Sequence, residues 1–97
     1  MTKSTNTRQN TNLAQNLEED LLRQYGPILT GESLRKALGY TSMDAMRQAV
    51  ARGTIPVPIF PLKNRRGKFA LVKDVAYWLA EQRNNVFTEI NSTEDNN

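Results

Sequence analysis

Apolar residues along this 97-residue chain change their spacing several times, and each spacing predicts a different element. Leu13, Leu17, Leu21 and Tyr25 recur every four residues with Leu22 beside them, which predicts a helix over 13–25 carrying one apolar stripe. Gly26-Pro27 ends it, because glycine accepts the left-handed exit conformation and proline cannot continue the helical ladder.

Beyond Pro27 two shorter helices follow. Thr30 is placed to cap the first, in which Leu34, Ala37 and Leu38 share a face and Gly39 stands at the C-terminal glycine position. Ser42 opens the second, which runs to Arg52, turns Met43, Met46 and Val50 inward and closes at Gly53. Only Gly39-Tyr40-Thr41 joins them, the short turn of a helix-turn-helix.

Thr54 to Pro58 holds too many prolines for a helix or a central strand and is expected to run extended. A hairpin is expected next: Ile59, Phe60 and Leu62 on one side, Phe69 to Leu71 on the other, and a turn over Lys63 to Lys68 made by Asn64 and Gly67. Val72, Val75, Ala76 and Leu79 then repeat at helical spacing and predict a closing helix over about 72–84. Residues 1–12 and 88–97 show no such pattern and read as disordered tails, polar at one end and acidic at the other. The expected fold is mainly α with a small β-hairpin: a winged helix-turn-helix over 27–87, preceded by the amphipathic helix over 13–25.

Composition narrows the function. The length leaves room for one domain. The longest apolar run, Ile55 to Leu62, is broken by Pro56, Pro58 and Pro61 and falls far short of the roughly 20 residues that cross a bilayer. The first twelve residues lack the apolar centre of a secretory signal, so a cytoplasmic location with no membrane partner is expected. Cysteine and histidine are absent, which removes disulfides, the usual zinc sites, thiol nucleophiles and imidazole bases. Glu32, Asp44, Asp74 and Glu81 show no paired arrangement, so neither an enzyme nor a cofactor or metal site is expected.

The net charge of +3 conceals a segregation. Between Arg35 and Arg83, ten cations face only three acids, and with Glu32 the middle of the chain carries a net +6, while residues 88–97 carry −3. A basic centre of that strength suits a polyanionic partner.

Several side chains could meet such a partner. On a helical wheel, the side of the second motif helix opposite Met43, Met46 and Val50 carries Asp44, Ala45, Gln48, Ala51 and Arg52. Alanines let a helix approach the major-groove floor, Gln48 matches adenine edges, and Arg52 or the flanking Arg47 reaches phosphate or guanine. The same face also fits an ordinary solvated helix. Lys63, Arg65, Arg66 and Lys68, with Asn64 among them, put four cations within six residues at the hairpin tip, either as a wing on the phosphate backbone or as a charged edge that blunts aggregation. Arg35 and Lys36 are candidate phosphate anchors. Phe60, Phe69, Tyr77 and Trp78 read as core rather than as base-stacking platforms, since the basic residues do not interleave with them. Leu13, Leu17, Leu21 and Tyr25 either add a layer to the core or join two copies into a dimer that reads two half-sites.

The run from Leu29 through Arg52-Gly53-Thr54-Ile55-Pro56, the basic hairpin and Val75-Ala76-Tyr77-Trp78-Leu79 resembles the MerR-like winged-helix excisionases and AlpA-type phage regulators. The step from Gly53 to Pro58 is similar to that of pyocin-activator type transcriptional regulators. The resemblance covers residues 27–83. It implies that Ser42 to Gln48 enter the major groove and that Lys63 to Lys68 reach the adjacent minor groove or backbone. It further implies a sequence-specific double-stranded DNA-binding protein of a bacterial mobile element, acting as a transcriptional regulator or as an excisionase that bends DNA for a recombinase partner. Asp44 departs from the pattern as an acid close to phosphate, either capping the helix start or accepting from a cytosine amino group. The helix over 13–25 has no counterpart in AlpA-type relatives, so oligomeric state does not carry over. The alternative reading is a protein-interaction module, an adaptor or inhibitor whose basic patch meets an acidic partner.

Overall fold

The computed structural model describes the backbone of residues 2–96 and the side chains of residues 12–86. Its elements in chain order are α1 (Thr2–Tyr25), β1 (Ile28–Thr30), α2 (Gly31–Leu38), α3 (Met43–Arg52), β2 (Phe69–Leu71) and α4 (Val72–Asn96). The tails expected at 1–12 and 88–97 fall outside the described side chains, Asn12 excepted. α1 and α4 are bounded well beyond 13–25 and 72–84, because an apolar stripe marks only the part of a helix that packs.

The motif helices start and stop where cap chemistry placed them. At the head of α2, the Ser33 hydroxyl donates to the Thr30 carbonyl at 2.7 Å and accepts from the Thr30 N–H at 3.3 Å. Ser42 caps α3 by accepting from the Ala45 N–H at 3.0 Å. Gly39 and Gly53 leave the two helices with φ of 84° and 72°, a left-handed conformation that glycine adopts without the cost a Cβ would bring. These exits let the Tyr40 N–H reach the Arg35 carbonyl at 3.1 Å and the Thr54 N–H reach the Ala49 carbonyl at 2.9 Å, satisfying carbonyls the helices leave open.

The sheet differs from the expected hairpin. β2 pairs antiparallel with β1, in the register Ile28 with Leu71, Leu29 with Ala70 and Thr30 with Phe69. On its other edge β2 makes a single bridge, Phe60 with Phe69, closed by two backbone hydrogen bonds of 2.9 Å. The expected strand over Ile59 to Leu62 is reduced to that bridge because the next bonded pair would place Pro58 opposite Leu71, and proline has no N–H to donate. The sequence pattern does not predict β1, since its three residues, the last of them the helix cap, carry no periodicity of their own.

The core forms where the sheet meets the helices. Leu29 and Ala70, opposite each other across the ladder, are fully buried, as are Val72, Val75 and Ala76 of α4. Leu34, Leu38, Met46 and Val57 complete the centre, with Leu21, Trp78 and Leu79 packed against it. The extended strap after α3 alternates: Ile55, Val57 and Ile59 turn inward while Pro56 and Pro58 face solvent. α1 packs along α4, with Ala14 buried and Leu13, Leu17 and Leu21 half-buried. Tyr77, expected in the core, is exposed. It sits nearly opposite Val75 and Leu79 on the helical wheel, so the face that buries those residues turns it outward.

Candidate nucleic-acid interface

The turn between the motif helices is held by Arg35. Its guanidinium donates to the Tyr40 carbonyl at 2.8 Å and to Glu32 at 2.8–2.9 Å, with only 18% of the side chain exposed. Offered by the sequence as a phosphate anchor, Arg35 is engaged by the protein itself. Its neighbour Lys36 is exposed and has no ion pair among the described residues.

α3 presents a polar face. Asp44, Arg47, Gln48, Ala51 and Arg52 are all exposed, while Met46 and Ala49 are buried. The face is turned slightly from the sequence reading: Ala45, expected on the groove side, is half-buried, and Arg47, expected at the flank, lies well inside the exposed arc. Ala49 causes the shift, because a small residue on the inner side lets α3 settle with Met46 and Ala49 deepest. Asp44 and Arg47 form an ion pair one turn apart in full solvent. Such a pair adds little stability and separates easily when a stronger anion or donor arrives. Asp44 also lies in the first turn of α3, where an acid complements the helix dipole, while Ser42 supplies the cap.

The wing is built from the segment after Phe60. The Arg65 N–H donates to the Leu62 carbonyl at 3.1 Å, and Asn64 takes φ of 63°, a left-handed position that asparagine tolerates better than most residues. Lys63, Asn64, Arg65, Arg66, Gly67 and Lys68 are all exposed, and none of the four cations has an ion pair among the described residues. The base of the wing is tied to the head of α2 by the Thr30 hydroxyl, which donates to the Lys68 carbonyl at 2.8 Å.

These parts face one another across a groove. A cavity of about 420 Å³ lies between α3 and the wing, floored by Leu34, Met43, Met46, Val50, Ile55 and Ile59. Arg47, Arg66 and Lys68 stand at its margin. The structure thus brings Arg47 of α3 to the same site as two wing cations. Thr30 and the groove floor were not singled out in the sequence, where they read only as a cap, as inward helix positions and as parts of the extended segment and the hairpin. No group of metal-ligating side chains occurs among the described residues, and no helix is long and apolar enough to cross a membrane.

The sequence model of the family described as Pyocin activator protein PrtN matches residues 18–86, from the last third of α1 through the helix-turn-helix and the wing and into α4 as far as Val86. The match corresponds to the pyocin-activator resemblance seen in the sequence. No curated protein and no solved structure matches the chain.

Proposed function

Because the chain belongs to the pyocin activator protein family, we propose that it is a sequence-specific double-stranded DNA-binding protein that regulates transcription of phage-type genes. The observation that carries this reading is the meeting of α3 and the wing at one groove, with Arg47 on one side and Arg66 and Lys68 on the other. A single DNA strand lying between a helix in the major groove and a basic loop would meet cations from both.

In this mechanism the wing cations and Lys36 neutralise phosphates and fix register, while the exposed arc of α3 reads base edges. Gln48 suits adenine, Arg47 and Arg52 suit guanine or phosphate, and Asp44 accepts from cytosine once Arg47 leaves it. Ala51, exposed in the centre of the arc, leaves room for close approach. No chemical step is required of the protein.

The test is a gel shift of the full chain with DNA from upstream of its own gene and with random duplex, each at two salt concentrations. Preferential binding of the upstream fragment, weakened by salt for both, is the expected result. Absence of binding to either duplex at low salt would overturn the reading.

A further inference from the structure

We propose that the groove between α3 and the wing is a ligand site for a small molecule that combines an apolar body with an anionic head. The proposal goes beyond DNA recognition, and a short duplex enters its test only as a control.

The floor of the groove is Leu34, Met43, Met46, Val50, Ile55 and Ile59, and its volume of about 420 Å³ falls within the roughly 300–1,000 Å³ of small-molecule pockets. Apolar side chains do not need to line a concave surface to read a polyanion. Duplex DNA offers phosphate, sugar and base edges, and a thymine methyl is the largest apolar group it presents in the major groove. The floor is therefore more apolar than the DNA reading requires. Met43 and Val50 are only half-buried although α3 points them inward, which leaves apolar area facing the cavity. Methionines suit such a site because their unbranched, polarizable side chains adapt to an incoming apolar shape.

Charge complementarity at the margin selects the head group. Arg66 and Lys68 are exposed and have no ion pair among the described residues, and Arg47 is held only by the solvent-exposed Asp44. No acid lines the cavity. A carboxylate or sulfonate at the margin, with its apolar chain on the floor, would satisfy both halves of the site. An apolar cation of the same length would meet repulsion at the margin. The wing base is anchored through Thr30 to Lys68, so the cavity has a fixed wall on that side and a folded helix on the other.

The probes are decanoate and decyltrimethylammonium, which share a ten-carbon chain and differ in the sign of the head, added to the full chain below their micellar range. Calorimetric titration is expected to give one saturable site for decanoate and none for the cation. Decanoate is also expected to raise Tm by on the order of 10 °C at about one hundred times its dissociation constant. Val50→Trp, which fills the cavity, should abolish decanoate binding. Arg66→Gln combined with Lys68→Gln leaves the floor intact and should weaken it about three- to tenfold. Equal binding of both probes, or decanoate binding unchanged in both variants, would overturn the proposal. So would failure of decanoate to bind a chain whose Tm a short duplex still raises, an outcome that leaves the groove as part of the DNA face alone.

Discussion

The Thr30 hydroxyl donates to the Lys68 carbonyl at 2.8 Å, joining residues 38 positions apart. Thr30 ends β1 and precedes α2, and Lys68 ends the wing, so one hydrogen bond couples the orientation of the basic loop to the start of the helix-turn-helix. The ladder supports the same junction, because Thr30 pairs with Phe69, the residue that also bridges to Phe60. The wing is thereby held from both of its ends.

Thr30→Val removes the donor and keeps the branched shape. The expected loss is about 0.5–1.5 kcal/mol, the usual net worth of a neutral hydrogen bond, seen as a Tm lowered by several degrees in a domain of this size. Thr30→Ser, which keeps the hydroxyl, should recover most of it. A Thr30→Val protein with unchanged Tm would show that the ladder alone positions the wing.

Arg35 and Lys36 are adjacent in sequence and opposite in role. Arg35→Gln takes away the donors to the Tyr40 carbonyl and to Glu32 and should cost about 1–2 kcal/mol, with the dependence of DNA affinity on salt left unchanged. Lys36→Gln should leave stability within about 0.5 kcal/mol and reduce the salt slope by about one. Urea unfolding and salt titration of the two variants distinguish a structural cation from a phosphate contact.

Arg47 and Arg65 divide recognition in a similar way. Arg47→Ala, on the exposed arc of α3, should weaken a specific site by about 1–3 kcal/mol and random duplex much less. Arg65→Ala, at the wing turn, should weaken both alike and lower the salt slope by about one. Equal losses on both duplexes for both variants would remove the assignment of base reading to α3.

Much of this fold was legible in the sequence because its signals are local. Gly39, Ser42 and Gly53 act within one or two turns, and the structure uses each at the predicted helix end, while Thr30 stands at the predicted start of α2 with its hydroxyl turned to Lys68. The sheet was not legible, because β1 is defined only by its partner: Leu29 is fully buried through its place opposite Ala70, a contact 41 residues away in sequence. The engagement of Arg35, expected as a phosphate anchor, was not legible for the same reason. Composition shows a cation, and only the folded turn shows the Tyr40 carbonyl that engages it. The exposed arc of α3 was nearly right because a helical wheel is a local construction, yet Ala49 shifted its centre, since hydrophobic spacing alone gives a small residue little weight beside two methionines and a valine.

The two readings of the leucine helix make opposite predictions for its thermodynamics. In the structure Leu21 packs against the core, Ala14 is buried, and α1 lies along α4, so α1 belongs to the domain that it precedes. Leu22 and Tyr25, each 37% exposed, lie off that contact. Leu21→Ala should therefore lower stability by about 2 kcal/mol, toward the low end for a buried leucine because Leu21 is only half-buried, while Leu22→Ala should change it by about 0.5 kcal/mol or less. The loss in Leu21→Ala should be the same at every protein concentration, since intramolecular packing carries no mass-action term. A Tm that rises with concentration and a Leu21→Ala defect that disappears at high concentration would instead show that the stripe is held by a second copy.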